Sequence, residues 1–453
     1  MIVKVNWKIK KFSIIFFAVF LAAFLLRLIL INWTLQYGNN GDLTRYEDWA
    51  RIAHVHNLAA TYTTITRDTS YQSPVNNEPP GSLYILSGAY ELWITAGKVI
   101  AHVTHTPPGS ITAVNTYLQH IFMKAPSIFT DLGIGLLIYL LVAKETGRKK
   151  GLLGASLFLF NPIVIYNSAV WGQMDSLNNF FFILSLFFAF RKNTIFSILS
   201  FAISLYIKLS LLPLLPFYLV FLFFMLKKDI KKILAGLFLS IAAVIIATFP
   251  VSADPVTWLL TNLPILARGE LQNITIAAFN FWWMIFCFPT IGHNNIPVIT
   301  HVFLGITLQI WGYVLFAIFS LPFLYLQLKK TQKFILKQNI FLIFSIIALL
   351  TFMFLPGMHD RYMYPVFPLL AIAMGLSKQH IKTYFIIFCC LSFFNLSNIV
   401  YSWYPIVLDS KSAFYHIFYG NIFGWVISVL TVFVAGWFYL KSLTDLGKEK
   451  NKP

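Results

Sequence analysis

The 453-residue chain is 58% hydrophobic and only 11% charged, against roughly 25% charged for soluble domains, which excludes an ordinary soluble protein and indicates a polytopic membrane protein. The net charge of +18 would suggest nucleic acid in a soluble chain. Here the basic residues sit in short clusters between apolar runs, the positive-inside pattern, and no nucleic-acid partner is expected.

Lys4, Lys8, Lys10 and Lys11 precede an apolar run from Phe12 to Trp33, long enough for the ~20 helical residues a span needs. It reads as a retained first span, interrupted by Arg27, which either snorkels to the outer surface, the reading preferred, or pairs inside the bundle. The polar stretch 35–117 follows as a first external loop. Its two helix candidates, Leu43 to Ala59 and Pro80 to Val103, carry polar residues that suit helices lying along the membrane surface.

Span Leu118 to Val142 returns to the cluster Lys144, Arg148, Lys149 and Lys150. Gly151 to Val170 leads out to Trp-Gly-Gln-Met-Asp-Ser (Trp171 to Ser176), and Leu177 to Phe190 leads back to Arg191 and Lys192. Thr194 to Ile207 and Leu211 to Leu226 turn at Lys208 and Ser210. Ile233 to Phe249 opens a second external loop, 250–299, whose aromatic piece Ala277 to Phe288 is placed at the interface. His301 to Gln327 closes it. Ile340 to Leu355 and Met363 to Leu376 flank the turn Gly357 to Tyr362, and Thr383 to Tyr404 and Ile422 to Leu440 complete the series.

The reading is a single all-α integral membrane bundle, 1–453, of about 12 spans. Its inner loops and tails hold 24 of the 34 basic residues and four of the 16 acids, against ten and twelve elsewhere, an asymmetry that fixes orientation. Cys287, Cys389 and Cys390 lack disulfide or metal spacing and read as packing residues.

The external ends collect Asp42, Glu47, Asp48, Glu78, Lys124, Asp131, Gln173, Asp175, Lys208, Arg268, Glu270, His359, Asp360 and Arg361. Both signs at one membrane face suit a site where Lys and Arg hold an anionic group while a carboxylate handles a proton. Asp42, in the stretch Gly41 to Trp49 just after the first span, is the candidate base; its alternative role is an N-cap for a helix starting at Leu43. Lys124 and Asp131, seven apart, share a helical face, and a charge such as Asp131 within a span calls for a partner or a function. An ion pair or polar contact is the reading taken there. Three ionisable residues in the turn His359-Asp360-Arg361 exceed what turn chemistry requires. No C-x-x-C, H-E-x-x-H, phosphate-cradling loop or nucleotide fingerprint occurs. A transporter or lipid flippase is the rival class, yet no repeated halves with a midplane site are visible; a third reading, a structural or assembly subunit, leaves the His359-Asp360-Arg361 turn unexplained.

Five strings carry a resemblance: Glu78 to Tyr84 (Glu-Pro-Pro-Gly-Ser-Leu-Tyr), Lys124 to Leu132 (Lys-Ala-Pro-Ser-Ile-Phe-Thr-Asp-Leu), Asn161-Pro162 with Trp171 to Ser176, Ala278 to Trp282 (Ala-Phe-Asn-Phe-Trp), and Met358 to Pro365 (Met-His-Asp-Arg-Tyr-Met-Tyr-Pro). In this order the chain resembles bacterial membrane mannosyltransferases related to GPI mannosyltransferase II, of the GT-C class.

The resemblance implies a GT-C-type bundle in the bacterial cell membrane with its active site outside. It implies inverting transfer of a sugar, mannose first, from a polyprenyl-phosphate donor to a glycolipid, glycan or protein hydroxyl. Asp42 takes the catalytic role with Asp48 as fallback, and Gln173, Asp175, Lys208, Arg268, His359, Asp360 and Arg361 bind substrate. Arg268 falls in Ala-Arg-Gly-Glu, similar to an Arg-Gly string of GT-C glucosyltransferases. Asp360 stands where the family usually has Glu. No cofactor is expected, and without a D-x-D string in the first loop no metal is assigned.

Overall fold

The computed structural model describes residues 7–35, 41–63, 75–106, 112–225, 230–268, 272–287, 296–329, 337–376, 380–403 and 421–448. Apolar runs without internal charge make the helices, and the exceptions are few enough to name. In chain order they are α1 (Trp7–Leu35), α2 (Gly41–Val55), α3 (Pro80–Thr104), α4 (Thr112–Thr146), α5 (Arg148–Leu159) and α6 (Pro162–Ile165), which runs into a π-helical turn, Tyr166–Trp171. Then come α7 (Asp175–Phe190), α8 (Thr194–Ile207), a 3-10 turn Leu209–Leu214, α9 (Leu215–Met225), α10 (Ile230–Thr248) and α11 (Pro255–Arg268). Strand β1 (Thr275–Ile276), α12 (Phe281–Phe286), α13 (Leu308–Lys329) and α14 (Lys337–Phe354) precede β2 (Met358–His359), a 3-10 turn Asp360–Met363, α15 (Val366–Leu376), α16 (His380–Trp403) and α17 (Asn421–Lys448).

Among the described residues six helices are long and apolar enough to cross a membrane: Phe12–Thr34, Thr116–Thr146, Ile230–Thr248, Leu308–Lys329, Lys337–Phe354 and Ile422–Gly447. A seventh candidate is broken. Arg148–Leu159 and Pro162–Trp171 meet at 51°, because Asn161 ends one helix and caps the next, its Oδ1 accepting from the Ile163 N–H at 3.0 Å, with Pro162 at the first helical position. The remaining apolar runs are the shorter helices α7, α8, α9 and α15 and the segment Ile381–Leu396 of α16. All twelve runs are thus helical, and α3 is not among the span candidates.

Two kinds of apolar helix result. From Asn339 to Met353 every residue of α14 is buried. Helices α15, α13 and α17 and the 3-10 turn Leu209–Leu214 pack against it, Phe182 and Phe190 of α7 pack on its Phe344 and Phe341, and α4 and α5 pack behind α15. In contrast α1, α10 and α17 expose large apolar side chains such as Phe17, Phe238 and Phe433. A helix apolar all round belongs inside a protein or against lipid, and this bundle has both.

Two expectations change, and one is met. Arg27 does not snorkel: it is wholly buried, its Nη2 3.1 Å and Nε 3.3 Å from Asp131 Oδ2, its Nη1 on the Ala23 and Leu159 carbonyls. The ion pair or polar contact expected here is present: Asp131 pairs with Arg27, and Lys124 donates to the carbonyls of Ala169 (3.0 Å) and Val170 (2.9 Å) at the end of the π-helical turn. The wider π turn frees carbonyls from the regular ladder, and a buried ammonium satisfies them. Finally, the span expected from His301 begins at Leu308, since residues 298–309 form a small hairpin; within the aromatic piece that starts at Ala277, the short α12 follows Asn280, with Trp282 and Trp283 buried.

Candidate functional site

Helix α2 is amphipathic. Leu43, Tyr46, Trp49 and Ala50 bury one face against Leu83, Leu86, Ala89 and Tyr90 of α3. The α3 start is set by Pro79-Pro80, and Gly81 lets the backbones touch, since a Cβ there would lie 2.5 Å from the Tyr206 carbonyl oxygen. This seats Asp42 and Arg45 on the rim of a cavity of about 430 Å³.

Five stretches far apart in sequence supply the cavity's ionisable walls, α2, the loop at Glu78, the end of the π turn with the start of α7, the α8-to-Leu209 corner, and the turn after α14, while Leu266, Ala267, Ile276, Ala277, Ala348 and Thr351 also line it. Asp42 lies within the first turn of α2, not ahead of it. Its Oδ2 accepts from Trp171 Nε1 at 3.0 Å and from Gln173 Nε2 at 2.5 Å, while Arg361 Nη2 stands 3.8 Å away. Oδ1 receives no hydrogen bond among the described residues. Gln173 is in turn held by Tyr46, whose hydroxyl donates to its Oε1 at 2.9 Å, and by its own backbone, which bonds Asn167 and Ser127. Burial pushes the Tyr46 phenol up, so it remains a donor. Gly172, at φ +83°, makes the turn that brings Trp171 and Gln173 to the same carboxylate.

Asp175 opens α7, where the free N–H groups favour a carboxylate. Lys208 Nζ donates to its Oδ1 at 2.6 Å and lies 3.8 Å from Glu78 Oε1, and Asn167 Nδ2 donates to Oδ2 at 3.1 Å. Lys208 reaches this point because α8 stops there in an extended residue before the 3-10 turn. Burial raises the Glu78 carboxyl against the pull of Lys208.

The fifth wall is held in register by the parallel pair β1–β2, Thr275 opposite Met358 and Ile276 opposite His359, with Gly357 in the left-handed region at φ +72°. Arg361 is buried, stacked over Trp171 with its Cζ 4.8 Å from the ring centre. Its carboxylate neighbours, Asp175 at 3.6 Å, Asp42 at 3.8 Å and Asp360 at 4.0 Å, stand beyond hydrogen-bond distance, and its Nε has no hydrogen-bond partner among the described residues. Burial pushes the Asp360 carboxyl up to about 7. Burial, with Arg361 and Lys208 nearby, drives His359 well below its ordinary value and leaves it neutral.

Asp42, Asp175, Lys208, His359, Asp360 and Arg361 thus line one cavity, and Gln173 braces it. Asp48 does not line it: it faces the other way on α2, beside Arg51 at 3.4 Å. The side chain of Arg268 lies outside the described residues, although Leu266 and Ala267 just before it line the cavity. Tyr46, Trp171 and Tyr364 were not singled out by the sequence. Tyr364 also lines the cavity and donates to Asp131 at 2.5 Å, so the cavity wall and the Arg27 pair are continuous.

The family model for GPI transamidase subunit PIG-U matches residues 21–288, more than half of the chain. The chain belongs to the PIG-U family. It is therefore an integral membrane protein of that family, not assigned by the match to the GPI mannosyltransferase II relatives that its strings resemble. Curated proteins give no match to the chain. The PIG-U match takes in Asp42, Glu78, Gln173, Asp175 and Lys208 but stops before His359-Asp360-Arg361, so the cavity is built from both sides of its boundary.

Proposed function

We propose that this PIG-U family member is a glycosyltransferase that moves a sugar, mannose first, from a polyprenyl-phosphate donor to an acceptor hydroxyl with inversion. One observation carries the reading: a carboxylate fixed through one oxygen presents the other, unbonded among the described residues, to a cavity that also holds a buried arginine short of hydrogen bonds. A buried guanidinium with unfilled donors suits a phosphate, whose oxygens accept in the same fork geometry.

In this mechanism Asp42 Oδ1 takes the proton of the acceptor hydroxyl as its oxygen attacks the anomeric carbon from the face opposite the phosphate. The bond from that carbon to the phosphate oxygen breaks, its electron pair leaves with the polyprenyl phosphate, and Arg361 stabilises the developing charge. The Lys208–Asp175 pair holds Arg361 in place, and neutral His359 offers a hydrogen bond without adding charge. Arg268 is assigned to the same donor. The charge asymmetry of the loops supports an external cavity reached from the bilayer, with the first loop, 35–117, as its roof and 250–299 as its second wall.

The family description, a GPI transamidase subunit, favours a second reading, in which the chain is a subunit of a larger assembly; on that reading we propose that the cavity holds a lipid-linked glycan without turning it over. Incubating the purified protein in bilayers with labelled polyprenyl-phosphate-mannose and a membrane glycolipid extract separates the two. Transfer of label supports the enzyme; saturable donor binding without transfer supports the subunit.

A further inference from the structure

Between Glu270 and Lys329 the sequence contains no Asp, Glu, Lys or Arg. Its described residues before Leu308, 272–287 and 296–307, form no membrane-crossing helix. The stretch includes β1, α12 and a hairpin in which Val302 N–H donates to the Ile306 carbonyl, Leu308 N–H to Thr300 and Gln309 N–H to Val298. At the hairpin's tip Leu304 sits in the left-handed region, φ 60°, a conformation that costs a leucine on the order of 1 kcal/mol. Around this tip apolar side chains are exposed: Phe303 70%, Leu304 74% and Ile299 64%. Trp311 Nε1 holds the tip by donating to the Phe303 carbonyl at 3.1 Å.

Two features identify what covers this tip. The tip lies only three residues before α13, a candidate span whose first turns also expose Ile310, Tyr313 and Val314, so it sits at the level where an apolar helix enters the bilayer. It also lacks the charged residues that commonly flank an apolar patch facing water or a protein. We propose that Phe303 and Leu304, with Ile299, insert into the interfacial layer of the bilayer as a fixed anchor.

The anchor is linked to the cavity through backbone. The hairpin base bonds strand residues, Ile274 N–H to the Ile296 carbonyl at 2.8 Å and Val298 N–H to that of Gln272 at 2.9 Å. The next residues bond the arginine turn, with Gly357 N–H on the Asn273 carbonyl at 3.0 Å and β1 paired to β2. A bilayer-seated tip would therefore set the depth of Arg361. This inference does not depend on the chemistry of the cavity.

The test is a nitroxide spin label at Leu304→Cys in the full chain in lipid nanodiscs, on a Cys390→Ser background, since Cys390 is exposed. The same background without Leu304→Cys supplies the blank, and Lys149→Cys serves as a water-exposed control. Insertion predicts collisional access to oxygen several-fold above access to a water-soluble nickel chelate at Leu304→Cys, and the reverse order at Lys149→Cys. Preference for the chelate at Leu304→Cys would place the tip in water, and exclusion of both reagents would place it against protein; either result overturns the proposal.

Discussion

Asp42 and Asp360 share a cavity and differ in what surrounds them. Asp360 is buried, with Oδ2 lacking a hydrogen bond among the described residues, and titrates at about 7. Its folded value lies above that of the unfolded chain, about 3.9, so the native state keeps a proton that the unfolded state releases. Stability is therefore greatest below about pH 4 for this group and falls as pH rises towards 7. Thermal denaturation between pH 5 and 8 should show a declining midpoint in the wild type and a flatter one in Asp360→Asn; parallel curves would remove Asp360 from that role. For the relay Tyr46–Gln173–Asp42, Tyr46→Phe should lower kcat about 5- to 10-fold with KM for donor nearly unchanged, as expected for about one hydrogen bond. In a Gln173→Leu background the same change should add almost nothing, whereas multiplied effects would show that Tyr46 does not act through Gln173. Most of the cavity's charged residues were legible in the sequence because charge at the end of an apolar run is costly without a use. Asp48 misled because it is six residues from Asp42, which on a helix is a rotation of roughly 240°. Trp171 gave no signal: in a chain that is 17% aromatic nothing local marks a donor to a residue 129 positions away.

At the scale of elements, Arg27, Asp131 and Tyr364 tie α1, α4, α5 and the start of α15 together through wholly buried bonds. Removing one partner leaves an uncompensated charge, so Arg27→Met or Asp131→Asn should each destabilise by about 3 to 5 kcal/mol. The double replacement Arg27→Met with Asp131→Asn should cost less than the two separately, measured by thermal or denaturant unfolding in detergent; an additive result would mean that the pair is not coupled. Gly81→Ala should cost about 1 to 3 kcal/mol, because its Cβ meets the Tyr206 backbone rather than a side chain that can move. The helices were legible because composition and length alone dictate them. The partner of Arg27 was not, since snorkelling and burial look alike in sequence and the pair spans 104 positions. The break at Asn161-Pro162 was likewise visible as residues but not as a 51° bend.

For the whole molecule, the contacts agree with the charge pattern. Ends assigned outside meet one another, as Asp42 with Arg361 and Glu78 with Lys208, and ends assigned inside do so too, as Glu145 with Lys337. Cysteines introduced at Asn57 and Lys149 should accordingly label from opposite sides of the membrane; labelling from one side would break the orientation. The central claim is that Asp42 is a base in a working transferase. It is tested most directly by single-turnover transfer from labelled polyprenyl-phosphate-mannose in Asp42→Asn, with donor binding measured on the same sample. Asn keeps the shape but takes no proton, so transfer should fall 10²- to 10⁴-fold while donor binding stays within a few-fold of wild type. Transfer at the wild-type rate would contradict the assignment, and wild-type protein that binds donor without transfer would leave the chain a glycan-holding subunit.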